Sequence, residues 1–225
     1  MDRRQFVEIC AGAVAALAAG TQPSLADGIQ DYPGAKLVDA QGAPLKASEL
    51  ATDQAYLFHY PFNGVPCFLI NLGKAGADDG RHARPGGAGT SGRLVSYVAI
   101  CTHQLSYPNR ATSVIRYAAE GSELAGKPGM IVCCAHGSVF DPSAGARKVS
   151  GPAEQPLVAV RLQHDPSDDS LSATGIAGSE LIGRFFNAYK ADLIAQYGPG
   201  VYRQSVGDTA TAVPLDSYSG VVPRC

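Results

Sequence analysis

The sequence predicts an all-β domain followed by one helix and an extended C-terminal tail. Two observations carry the fold class. Seven short runs between residues 55 and 176 are rich in β-branched and aromatic residues and are separated by turn-forming segments. After them, apolar residues recur at spacings of three and four, the period of a helix with one apolar face. No internal repeat is visible. The formal net charge of the 225 residues is −2, and the absence of a basic stripe argues against a nucleic-acid partner.

In chain order, the first 26 residues come before the strand-rich region. Asp2-Arg3-Arg4-Gln5-Phe6-Val7 resembles a twin-arginine export signal, and an apolar run follows from Ile9 to Ala19. Ser24-Leu25-Ala26 offers small residues for cleavage, with Ala16-Leu17-Ala18 as a second candidate. The apolar run is too short and too rich in Ala and Gly for a membrane span, which needs about 20 mostly apolar residues. Asp2 and Glu8 depart from the usual signal, which prefers a hydroxyl residue before the arginines and Lys after the apolar pair. Cleavage would leave 199 residues, enough for one β-rich domain with a substantial core.

Strands are expected at Ala55–Tyr60, Pro66–Leu72, Arg93–Ile100, Ser113–Ala118 and Met130–Cys133. Two more, Leu157–Leu162 and Leu171–Ile176, are joined by a turn at residues 165–170. Residues 74–92, dominated by Gly, Ala, Asp and Arg, are expected to form a mobile surface loop. The helix is expected from Ser179 to Tyr197, with Leu181, Phe185, Tyr189 and Leu193 on its apolar face. That face is expected to pack on its own domain; docking against a larger subunit is the alternative. Residues 198–225, with Gly, Pro and Ser throughout, read as an arm that wraps a partner. On that reading Tyr202, Leu215 and Tyr218 gain little by folding back, and truncation at Gly198 leaves the rest of the domain intact.

The chemistry-bearing residues are Cys101-Thr102-His103 and Cys133-Cys134-Ala135-His136. Two Cys and two His, paired as C-x-H and C-x-x-H, are the ligand set in which one iron of a [2Fe–2S] cluster keeps thiolates and the other takes imidazoles. Gly137 and Ser138 follow the last His, and Gly151-Pro152-Ala153 stands where a further loop can cover the cluster. The alternative is a zinc site, since two Cys and two His are also a zinc set, although zinc sites usually space their His ligands differently. His59 reads as a packed or hydrogen-bonded side chain, and His82 and His164 lack a neighbouring ligand pattern. With Cys10 in the signal and Cys101 and Cys133 taken by iron, Cys67, Cys134 and Cys225 remain. An odd remainder means at least one thiol is free or paired between chains.

These motifs resemble the Rieske family, over about residues 50–180. The resemblance implies an antiparallel β sandwich or barrel base with an inserted cluster-binding subdomain at about 98–156. It further implies that Cys101 and Cys133 hold one iron and His103 and His136 the other, exposed, iron of one cluster per chain. Tyr56-Leu57-Phe58-His59-Tyr60-Pro61, Arg93-Leu94-Val95-Ser96-Tyr97 and Ile100-Cys101-Thr102-His103-Gln104 are similar to the small subunit of periplasmic arsenite oxidase. So are Gly151–Arg161 and Ser170–Gly175.

Three departures bear on the site. Many such proteins join the two ligand loops by a disulfide whose positions here are Ser106 and Ala135, and the resemblance does not carry that bridge over to Cys134. Ser138 keeps a hydroxyl for a cluster sulfur, whereas the family's Tyr two residues later is Phe140. Losing one such donor lowers the potential, so a value below the top of the roughly −150 to +300 mV range is expected. The spacer of 29 residues from 104 to 132 is long, and residues 119–129 read as an inserted surface loop.

The function so implied is electron transfer in a molybdenum oxidoreductase of the arsenite oxidase type. The chain would be exported to the periplasm by the twin-arginine pathway. It would relay electrons between a large molybdopterin-containing subunit and a soluble cytochrome c or cupredoxin. The alternatives are the quinol-oxidising subunit of a cytochrome bc-type complex and a free ferredoxin-like carrier. No substrate site of its own and no substantial membrane span are expected.

Overall fold

A computed structural model describes residues 28–73 and 93–225. The expected export signal and the expected loop at 74–92 therefore lie outside the described residues. The architecture is all-β, in three four-stranded sheets with a few short helices. The first sheet, in the order β11-β1-β10-β9, contains β1 (Ile29–Val38), β9 (Val160–Asp165), β10 (Ser170–Ala177) and β11 (Thr209–Thr211). The second, β12-β2-β3-β4, contains β2 (Ala55–His59), β3 (Pro66–Asn71), β4 (Leu94–Val98) and β12 (Val213–Pro214). The third is a meander of β5 (Ile115–Ala118), β6 (Met130–Cys133), β7 (Ser138–Asp141) and β8 (Arg147–Ser150).

The second sheet is the middle layer, which explains its sequence. All six residues of β3 and all five of β4 are buried. Successive side chains point to opposite faces. Phe58, Leu69 and Val98 thus enter the core shared with β1, β9, β10 and the helices, while Leu57, Phe68 and Val95 enter the core shared with the third sheet. A strand buried on both faces reads as a continuous apolar run. The third sheet is inserted between β4 and β9. The chain leaves and rejoins the base at one place, because Val98 N–H donates to Val158 C=O at 2.8 Å and Tyr97 bridges Ala159.

The expected strands form, with shifted ends. Arg93–Ile100 shortens to β4, leaving Ala99–Cys101 to lead into a ligand loop, and Leu157–Leu162 moves on to Val160–Asp165. β1 is not among the expected strands, and its Pro33-Gly34 coincides with a bulge between Asp31 and Ala35. Nor is β8, whose four residues are all exposed and give no alternation. The segment 119–129 is, as expected, a loop joining β5 to β6.

Two expectations about the C-terminus are corrected. The single helix is two: α1 (Glu180–Ala188) and α2 (Lys190–Tyr197), divided at Tyr189, where φ is −109° and ψ 24°. The break lets the Tyr189 ring pack on Tyr107 and its hydroxyl reach the Gln104 carbonyl at 3.5 Å. Leu181, Ile182, Phe185 and Phe186 bury against their own domain, as one of the two readings expects.

The arm after Gly198 does not stand free. It adds β11 in parallel to β1 and β12 antiparallel to β2, then forms the single turn α3 (Leu215–Tyr218). Tyr202, Leu215 and Tyr218 are 3%, 6% and 5% exposed. The three-layer arrangement leaves open edges and faces large enough to bury them, which spacing along the chain does not reveal. Among the described residues no helix is long and apolar enough to cross a membrane.

Candidate metal centre

Both ligand motifs lie on turns that the third sheet and β4 hold in place. Cys101 follows β4, and its loop closes on itself: Leu105 N–H donates to Cys101 C=O, and Cys101 N–H donates to Ser106 C=O, both at 2.9 Å. Leu105 takes φ +60° to make that turn. The second motif occupies the β6–β7 hairpin. Cys133 and Ser138 face each other in register, so Cys134–Gly137 form the connection and His136 sits on it. Gly137, at φ +77°, donates its N–H to Cys133 C=O at 2.9 Å.

A third loop, 151–156, closes over these turns, as expected for Gly151-Pro152-Ala153. Thr102 Oγ1 donates to Gln155 C=O at 2.7 Å, and Ala153 N–H donates to Ser138 Oγ at 3.2 Å. Gly151 is required here. Its φ is +85°, and a Cβ would lie 2.3 Å from the Gly137 carbonyl oxygen and 2.5 Å from Ser138 Cα.

The structure sets Cys101 against Cys133 and Ser138, and His103 against His136. The two thiols are buried, at 1% and 0% exposure, and both are unpaired. The Cys133 thiol donates to Cys101, holding the Cys101 thiol down to about 6 against the opposing effect of burial. The His103 backbone, the Ser138 hydroxyl and the Gln104 backbone lower it further. Cys133 is pushed up, chiefly by that same hydrogen bond and by burial. The two imidazoles lie outward of the thiols, His103 partly buried and His136 exposed, edge to face with ring centroids 4.9 Å apart. His103 Nδ1 is buried and has no hydrogen-bond partner.

A buried donor or acceptor left unpaired is costly, so an orphaned imidazole nitrogen beside two buried thiols marks a place for a metal. The donors stand as two pairs. This suits a dinuclear cluster, whose irons each need two protein ligands, better than a zinc ion with four. The residues present fit a [2Fe–2S] group.

Several supporting contacts left no signal in the sequence. Tyr189, Thr102 and Gln155 brace the loops through contacts distant in the chain. Cys134 and Cys225, whose pairing the sequence left open, form a disulfide with Cα atoms 5.7 Å apart, and Cys67 is buried and free. His59 is hydrogen-bonded rather than a ligand: its Nε2 lies 2.9 Å from Tyr197 Oη, and burial, then Arg110, lowers its pKa to about 4. His164 pairs with Asp169 at 2.7 Å, and His82 lies outside the described residues.

No family model matches the chain. Among solved structures, it is similar to the crystal structure of the soluble domain of Rieske protein II (soxF) from Sulfolobus acidocaldarius. The identity is 25%, over 68% of this chain and 82% of that chain, with a TM-score of 0.49.

Proposed function

We propose that this chain is an electron-transfer protein of the Rieske type, holding one [2Fe–2S] cluster through Cys101, Cys133, His103 and His136. The observation that supports it most is the sorting of donors by depth: two buried thiols in contact, two imidazoles outward of them, and an orphaned Nδ1 on His103. When bound, such a cluster supplies a centre that accepts and passes on single electrons.

Cys101 and Cys133 bind as thiolates and keep water away from the inner side. Ser138, whose oxygen already accepts from Ala153 N–H, directs its hydroxyl proton to the Cys101 sulfur. His136 is the exposed ligand, so its ring edge is the nearest part of the site to an outside carrier.

At the finer level, the chain serves as the small subunit of a periplasmic molybdenum oxidoreductase of the arsenite oxidase type, exported by the twin-arginine pathway. It passes electrons between a molybdopterin-containing subunit and a soluble cytochrome c or cupredoxin. The sequence stretches around Tyr56–Pro61 and Ile100–Gln104 and the Arg3-Arg4 motif support this level.

Elemental analysis of purified protein is the test. Two irons and two acid-labile sulfides per chain are expected, with no zinc. Replacing His103 or His136 by Ala should abolish the spin-resonance signal of the reduced state. A colourless, fully zinc-loaded protein from an iron-replete host would overturn the reading.

A further inference from the structure

The two ligand loops have no covalent tie of their own, since Ser106 and Ala135 are not cysteines. They are joined instead through the end of the chain. Residues 219–225 first bind the segment that continues from the first ligand loop. Ser219 Oγ donates to Asn109 C=O at 2.7 Å, Gly220 N–H to Arg110 C=O at 2.9 Å, and Val221 N–H to Ala111 C=O at 3.0 Å. In return Ser113 N–H donates to Val221 C=O at 2.9 Å, and Thr112 and Val221 form a parallel bridge.

Four residues later Cys225 is bonded to Cys134, which lies on the second ligand loop, next to Cys133 and two residues from His136. Cys225 also packs on the outer core of the third sheet, against Ala118, Met130, Val132 and Val139.

We propose that residues 219–225 are a thiol-operated strap that holds the two ligand loops in one relative position, with Cys134–Cys225 as its clasp. Cys134 and Cys225 are positioning residues and touch no iron. The inference rests on the cluster reading above. Both half-cystines are partly exposed, whereas Cys67 is wholly buried. A dithiol donates two electrons and two protons, the S–S bond breaks to give two thiols, and the dithiol becomes a disulfide.

Opening removes the constraint across a separation of 91 residues. What still holds residues 219–225 is the four backbone and side-chain hydrogen bonds at 219–221 and the packing of Val222 and Cys225. The β6–β7 connection then moves more freely, and His136 and Cys133 release iron sooner. In a reducing compartment the strap stands open and the cluster can enter; in an oxidising one the strap closes over a loaded site.

The test uses full-length holoprotein as wild type, Cys225→Ser and Cys134→Ser, each with and without a dithiol. Alkylation and mass measurement report the clasp. Loss of the visible cluster absorption in an iron chelator reports the site, and amide exchange at Ser113 and Val221 reports the strap. Dithiol should speed bleaching of the wild type about tenfold or more. Cys225→Ser should bleach at that faster rate untreated and show no further response to dithiol.

Exchange at Ser113 and Val221 should quicken under the same conditions. Unchanged bleaching and exchange once alkylation shows the bond to be open would overturn the proposal, as would Cys134 and Cys225 found alkylated in protein from an oxidising medium. If the wild type binds no iron, the cluster reading fails by itself, and amide exchange in the iron-free chain still decides whether the strap opens.

Discussion

Ser138 is fully buried at the start of β7 and makes two bonds with different consequences. Its oxygen accepts from Ala153 N–H, and its proton goes to Cys101. A donor to a cluster sulfur favours the more negative, reduced state. Ser138→Ala should therefore lower the midpoint potential, by roughly 40 mV for each kcal/mol of difference between the oxidation states. Phe140 lies two residues on, on the same face of β7, in the core that also holds Cys101 and Cys133. Phe140→Tyr should raise the potential if its hydroxyl meets a sulfur. Voltammetry in which neither variant moves would place both side chains outside the cluster's reach. His59 carries a pH dependence of stability. Its pKa is lowered to about 4 from 6.5, so below pH 6.5 the unfolded chain takes up a proton that the folded chain refuses. The stabilisation is present above pH 6.5 and is lost as pH falls from there towards 4. Urea midpoints should drop over that window more steeply in wild type than in His59→Gln; equal slopes would mean that His59 titrates freely in the fold.

The 151–156 loop shows how an element without regular structure can set a site. Its approach to the β6–β7 hairpin is limited by Gly151, where both the positive φ and the Gly137 carbonyl exclude a side chain. Gly151→Ala should destabilise the protein by more than about 1 kcal/mol, because the backbone must leave the left-handed region and the loop must withdraw. Withdrawal separates Ala153 from Ser138 and Gln155 from Thr102, so iron content should fall together with thermal stability. Retention of full iron content at wild-type melting temperature would show that the loop does not cover the site. The break at Tyr189 belongs to the same scale. A continuous helix would satisfy its apolar spacing, yet the bent one lets Tyr189 stack on both Tyr107 and Phe185 while reaching Gln104.

Across the whole molecule, the C-terminal segment closes each layer in turn. It extends the first sheet with β11 and the second with β12, and its last residue packs on the third. Burying a side chain of the size of Tyr202, Leu215 or Tyr218 contributes roughly 1.5–3 kcal/mol. Together the three are comparable with the total stability of a domain, about 5–15 kcal/mol. Truncation after Gly198 should therefore abolish cooperative folding and iron binding together, and not merely free the domain from a partner. A truncated chain that melts cooperatively and still binds two irons would restore the picture of a dispensable arm.

Features that depend on local pattern were legible in the chain alone. The runs of β3 and β4 are apolar at every position but Asn71 and Ser96 because both faces of the middle sheet are covered, and such runs are legible without a structure. The ligand motifs are legible because a metal site demands residue types at short spacings, whatever surrounds them. The rest follows from packing between distant segments. The exposed β8 and the bulged β1 carry no periodicity of their own and become strands through their neighbours. Cys134 and Cys225 stand 91 residues apart, and their bond follows from where two chain segments meet. The fate of residues 198–225 was decided the same way, because a short apolar residue in a Gly- and Pro-rich segment gains its free energy from whatever surface lies within reach, and that surface exists only after the three sheets have packed.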